Sequence, residues 1–253
     1  MNKHGDNILD QFTRQADQFQ ATHRLAEEAT RAALEASGVC GEDVVLDVAC
    51  GPGILACAFA QHARHVTGVD ITPAMLERAA NLQRESSLQN VEWQSCDVSQ
   101  LPFEDGSFTL LITRYAFHHF EEPETVLAEM VRVCRPGGKL VVIDSAPPVE
   151  KVDAFNEVER MRDPSHTAAL PAEEVARMMR SQGLQIERSY YYAYEVTARS
   201  LLDRSYPADG DRDRIFRLYE SDVDVDRLAM NARHADGVLY VTFPTMITVG
   251  RKC

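Results

Sequence analysis

Apolar positions along this chain follow two alternating rhythms. Short β-favouring runs at Val44-Val45-Leu46, Val66-Thr67-Gly68-Val69, Val91-Glu92-Trp93, Phe108-Thr109-Leu110-Leu111-Ile112 and Leu140-Val141-Val142-Ile143 read as strands. Between them the spacing predicts helices over 54–61, from Pro73 onward and over 123–134, the last with Val126, Leu127, Met130 and Val131 facing inward. Thr72 is a fit N-cap, with Pro73 at the first helical position. Parallel strands need helical crossovers, so the alternation from Val44 to Asp144 predicts a doubly wound α/β sheet.

The flanks are patterned differently. Ile8, Phe12, Gln15 and Phe19, followed by Leu25, Ala29, Ala32 and Ala33, predict one helical segment from Ile8 to Ala36, ended by Gly38 and Gly41. Its aromatic front half serves either core packing or as a flap over a cofactor. Beyond Pro147-Pro148, helices over 151–162 and 171–182 flank the loop Asp163-Pro164-Ser165-His166. A tyrosine-rich strand over 186–196, a charged helical insertion to about His234 and a last strand over 238–250 complete the chain, with a kink expected at Pro244. Tyr190, Tyr192 and Tyr194 share one strand face and Tyr191 opposes them; packing is the plainer account, an aromatic wall for a flat acceptor the sharper one. No repeat or linker marks a second domain. The expected organisation is one domain over 1–253, with a helical cap over 1–43, a cofactor-binding core over 44–146 and acceptor-side elements over 147–253.

Charge narrows the partner. A formal net charge of -13 over 253 residues argues against a nucleic-acid surface and for a small molecule. The six cysteines show no metal-ligand or disulfide spacing, so no metal site and buried free thiols are expected. The alternating acids of 209–213 and 222–226 lack the glycine and distal glutamate at the spacing of a calcium loop and read as a solvated face. With no leader-like or membrane-length apolar run, a cytoplasmic protein, monomeric or homodimeric, is expected.

The turn after the first strand carries the chemistry. Gly51-x-Gly53-x-x-Ala56, with Asp70 further on, fits a dinucleotide fingerprint, yet Asp47 at the strand end would face the anionic pyrophosphate. S-adenosylmethionine, with its sulfonium and ammonium and no phosphate, meets that acid favourably. Asp70 can accept from a ribose diol, and Asp97 from an adenine amino group. Three acids at three successive strand ends suit this ligand, where a nicotinamide cofactor explains one.

The segment from Val45 to Asp144 resembles the class I S-adenosylmethionine-dependent methyltransferases of the UbiE-like group. The likeness rests on Leu46-Asp47-Val48-Ala49-Cys50-Gly51-Pro52-Gly53, Gly68-Val69-Asp70-Ile71-Thr72-Pro73-Ala74-Met75-Leu76, Asp97-Val98, Leu101 to Phe108, Phe117-His118-His119-Phe120 and Arg135 to Lys139. A looser likeness joins Gln11 to Ala16 to the N-terminal helix of that group. The resemblance implies a Rossmann-like seven-stranded sheet whose last strand is antiparallel, beside the fifth. It implies cofactor contacts at Gly51, Asp70, Ile71, Asp97, Val98 and Arg114; Asp47, Ala49, Gly53, Met75, Tyr115, Phe12, Gln15 and Phe19 complete the expected binding set. Ala49 replaces a glycine common in the group, and fits if its backbone avoids the left-handed region.

Methyl transfer needs a base only where the acceptor is not already nucleophilic. His118 and His119, just past the fourth strand, are the base candidates, His119 preferred, with His166 on the acceptor-side loop a third; each also has a plain structural reading. Arg114 is alternatively a clamp for an anionic acceptor. The expected activity is methyl transfer to oxygen, carbon or nitrogen of a small organic acceptor. The rivals are a cyclisation or decarboxylation on the same fold, or a cofactor-sensing role.

Overall fold

The computed structural model describes residues 3–16 and 23–253. Two helices, α1 (Lys3–Ala16) and α2 (His23–Ser37), stand where one segment was predicted. Five parallel strands follow: β1 (Val44–Val48), β2 (His65–Asp70), β3 (Val91–Ser95), β4 (Phe108–Arg114) and β5 (Cys134–Ser145). Their crossovers include α3 (Ile54–Ala60), α4 (Pro73–Glu85) and α5 (Pro123–Val133). The rest comprises α6 (Val152–Arg162), α7 (Ala172–Ser181), β6 (Leu184–Thr197), α8 (Ala198–Asp203), α9 (Asp211–Ser221), β7 (Arg233–Ala235) and β8 (Val238–Lys252).

Strand order is β3-β2-β1-β4-β5-β8-β6, with β8 antiparallel to both neighbours. This is the expected seven-stranded sheet, extended by the three-residue β7 against β8. Every side chain of β1 from Val45 and of β4 up to Thr113 is buried, as strands covered on both faces require. One face packs Leu55, Phe59 and Ala33 from α3 and α2; the other packs Leu127, Met130 and Met179 from α5 and α7. A third core forms where β6 and β8 outrun β5, gathering Phe155, Leu202, Ile215, Tyr219 and Phe243 from α6, α8, α9 and β8.

Three local expectations change. β8 runs through Pro244 in unbroken register with β6. The Pro244 carbonyl accepts from Ala146 on the β5 side, so the missing N–H also faces that side, where the β5 ladder has ended. Thr72 sits at the N-cap of α4 but its hydroxyl makes no capping bond. Not all thiols are buried either: Cys40 and Cys253 are exposed.

Candidate active site

Strand order reverses between β1 and β4, and a cavity of about 1070 Å³ opens at their carboxyl ends. Asp47 of β1 and Ala49 and Gly51 of the turn after it line the cavity, with Asp70 from the end of β2 and Ile71, Thr72 and Met75 from the entry and first turn of α4. Asp97, Val98, Arg114 and Tyr115 add the ends of β3 and β4, while Ile8 and Phe12 of α1 close it over.

The acids are not equivalent. Asp70 is pinned: Oδ2 accepts from the Gly51 amide and Oδ1 from the Thr72 amide, both at 2.8 Å. Burial raises its pKa and those amides oppose the rise. Asp97 lies two residues past β3, exposed, and accepts from the Ser99 amide at 2.9 Å. Asp47 is fully buried, and its Oδ2 has no hydrogen-bond partner. Burial pushes its carboxyl up to about 7, against the pull of Arg114. Arg114 itself donates to Thr30 of α2 at 3.2 Å and lines this cavity, not the one described next. A buried carboxyl oxygen left without a donor is costly, and a cationic ammonium arriving through the cavity fits it.

A second cavity of about 210 Å³ shares Phe12, Tyr115 and His119 with the first and continues to His118, Glu159, Arg162, Asp163, Tyr194 and Phe243. His118 and His119 occupy one 3-10 turn after β4, their ring centres 4.2 Å apart. His118 Nδ1 lies 2.5 Å from Asp144 Oδ1, while Asp144 Oδ2 accepts from the Phe117 and His118 amides at 2.8 and 3.2 Å. Burial lowers the His118 pKa, but Asp144 reverses this and the net shift is upward.

His119 is the opposite case. Its Nδ1 donates to the Ser165 carbonyl at 3.0 Å, and burial with the neighbouring His118 holds its pKa down at about 4. Phe12 packs edge-on against its ring at 5.0 Å. Of the pair, His118 is the one whose ring is backed by a carboxylate, whereas the sequence preference is for His119. His166 lines neither cavity: it is buried with Nε2 2.7 Å from Asn156 Oδ1, and burial holds it neutral with a pKa of about 2. Its expected catalytic place is corrected to a packed interior position.

Other expectations are revised too. Gly53 does not line the cavity; a side chain there would strike Trp93 and Ala79 at 2.6 and 2.7 Å, so it serves close packing of α3 on α4. Ala49 does adopt the left-handed region, φ 57°, at a cost of ~1 kcal/mol, and Tyr115 does likewise at φ 52°. Both strained residues sit on the cavity wall, where strained backbone is often found. Phe19 and the side chain of Gln15 lie outside the described residues. Tyr190 and Tyr191 are exposed and Tyr192 packs against the α2 side, so of the tyrosine row Tyr194 alone lines the described cavities. In the acidic insertion, Asp222 accepts from the Arg227 and Leu228 amides and Asp226 pairs with Lys151.

Sequence reasoning missed Asp144, Glu159 and Arg162. Asp144 near the end of β5 repeats the pattern of Asp47 and Asp70, which was the available signal. The Arg162–Glu159 pair, 2.6 Å apart and nearly enclosed, had none beyond an i, i+3 spacing.

Residues 46–142 match the methyltransferase domain family. A relative from Bacillus subtilis (strain 168), named as the uncharacterized methyltransferase YcgJ, is 30% identical over 211 residues, covering 82% of this chain and 83% of the relative. The crystal structure of YcgJ superposes with a TM-score of 0.80 at 25% identity, covering 89% of this chain and 98% of that one. The ubiquinone/menaquinone biosynthesis C-methyltransferase UbiE of Desulfotalea psychrophila is 37% identical over 114 residues, 44% of this chain and 45% of that protein. The chain belongs to the class I S-adenosylmethionine-dependent methyltransferases. Within that class it falls in the UbiE-like group. Among the described residues no helix is long and apolar enough to cross a membrane.

Proposed function

We propose that the protein transfers a methyl group from S-adenosylmethionine to oxygen, carbon or nitrogen of a small organic acceptor. The observation that carries this is the unpaired, buried Asp47 Oδ2 on the wall of the larger cavity. The bound cofactor would supply a methyl carbon already activated by a positively charged sulfur. Asp47 would hold its ammonium group, Asp70 the ribose diol and Asp97 the adenine amino group, with Ile71, Val98 and Met75 as apolar neighbours.

The chain's remaining work is positioning, exclusion of water and, for a protonated acceptor, proton removal. The acceptor would occupy the smaller cavity. His118 takes the acceptor proton on Nε2, and Asp144 orients the ring through Nδ1 and stabilises the imidazolium that forms. His119, fixed through Nδ1 on Ser165, and Tyr115 form the passage between the two cavities. The test is incubation with methyl-labelled S-adenosylmethionine and an acceptor panel. S-adenosylhomocysteine forming in step with labelled product is expected; tight cofactor binding with no transfer across the panel would favour a cyclase, decarboxylase or sensor.

A further inference from the structure

The smaller cavity has a chemistry of its own. Its wall carries a run of rings: Tyr115 and Tyr194 have centroids 5.9 Å apart, and Tyr194 and Phe243 6.1 Å apart, each pair tilted by a little over 40°. Phe243 is held from behind by Phe155 at 6.3 Å in an edge-on contact, so the wall is backed by the third core. An apolar cavity of ~150 Å³ is enough for benzene. The 210 Å³ here therefore suits one substituted ring and is tight for two fused ones.

Charge on the wall narrows the group to be methylated. The buried guanidinium, Arg162, commits Nε and Nη2 to Glu159 and Nη1 to Ser205, so it has no free edge for a carboxylate acceptor. Two groups on this wall keep nitrogens for a ligand: Arg204, which among the described residues commits only Nε, to the Ser200 carbonyl, and His118, whose side chain is 11% exposed and whose Nδ1 is held by Asp144, leaving Nε2 as the ring's other nitrogen. The His118 arrangement accepts a proton from a weakly acidic hydroxyl. An aryl hydroxyl ionises near pH 10, as tyrosine does, within reach of a histidine base; an aliphatic alcohol does not.

We propose that the acceptor is a single-ring phenol, its ring held among Tyr115, Tyr194 and Phe243 and its hydroxyl turned to Nε2 of His118. This rests on the methyltransferase reading above. The phenolic O–H proton passes to His118, the oxygen forms its bond to the methyl carbon, and the carbon–sulfur bond breaks with its electron pair going to sulfur. The products are an aryl methyl ether, S-adenosylhomocysteine and imidazolium. A polar substituent on the ring would meet Arg204, half-buried on the same wall.

The full-length protein is to be assayed with S-adenosylmethionine against single-ring phenols, naphthols, cyclohexanols and anilines, following S-adenosylhomocysteine and identifying products by NMR. The expected result is kcat/KM for single-ring phenols at least about tenfold above every other class, with methyl on oxygen. Phe243→Leu is expected to raise the phenol KM several-fold while leaving the Kd for S-adenosylmethionine within twofold. Preference for naphthols, alcohols or amines, methyl on ring carbon, or cofactor binding with no phenol turned over would each overturn the phenol assignment. Failure to bind S-adenosylmethionine in calorimetry would instead overturn the methyltransferase reading on which it rests.

Discussion

His118 Nδ1 lies 2.5 Å from Asp144 Oδ1, joining the turn after β4 to the end of β5 behind a ring that lines the smaller cavity. The same carboxylate holds the backbone amides of Phe117 and His118, so one acid sets both the ring and the turn that carries it. With its pKa raised above the ordinary 6.5, His118 is protonated through more of the neutral range, so the proposed base catalysis is expected to grow as pH rises through the raised value.

For an acceptor that must lose a proton, His118→Ala should therefore lower kcat by about 100-fold or more while the Kd for S-adenosylmethionine stays within about twofold. Asp144→Asn should move the rising limb of the kcat profile to lower pH and reduce its plateau. Steady-state kinetics across the neutral and mildly alkaline range, with melting temperature as a folding control, checks both. An unaltered plateau for His118→Ala with a phenol would remove the base role.

Asp47 is a cost to the empty protein. Burial pushes its carboxyl from the ordinary 3.8 up to about 7, so the contribution of this one group to stability is fully present below about pH 4 and is lost as pH rises through 7. The difference corresponds to about 4 kcal/mol. Asp47→Asn should thus gain stability over the parent at mildly alkaline pH and approach parity near the unfolded pKa, measured by urea unfolding without ligand. The same variant should lose cofactor affinity. A variant less stable than the parent at mildly alkaline pH would contradict the unpaired carboxylate.

Arg162 and Glu159 are both nearly enclosed and bonded to each other at 2.6 Å. Removing one partner leaves a buried charge without its counter-ion, so Arg162→Met or Glu159→Leu alone should cost about 3 kcal/mol of unfolding free energy. The double variant should recover much of that loss. Additive losses would show that the two side chains act separately.

The parallel half of the sheet was legible because a strand covered on both faces must be written as an unbroken apolar run, as at Leu140 to Ile143. The acids of the larger cavity were legible because they fall at strand ends, where ligands meet open sheets. The smaller cavity was not legible. Its walls come from Glu159 and Arg162 of α6, Tyr194 of β6 and Phe243 of β8, so no short window of sequence contains them together.

His118 and His119 are adjacent and chemically identical in sequence. Their opposite proton affinities come from Asp144 on one side and the Ser165 carbonyl on the other, partners 26 and 46 residues away. Ala49 likewise gave no sign of its left-handed backbone, which is set by the β1 turn tied to Asp70 through Gly51.

Calorimetric titration of S-adenosylmethionine into the parent protein and Asp47→Asn, with NAD as the comparison ligand, tests the role of that buried acid most directly. One saturable site for S-adenosylmethionine is expected, weakened at least about tenfold in Asp47→Asn, where a charge-assisted contact to the ammonium is lost. No heat is expected from NAD. Binding of NAD without binding of S-adenosylmethionine, or equal affinity of parent and variant for S-adenosylmethionine, would contradict the cationic-ligand site built around Asp47.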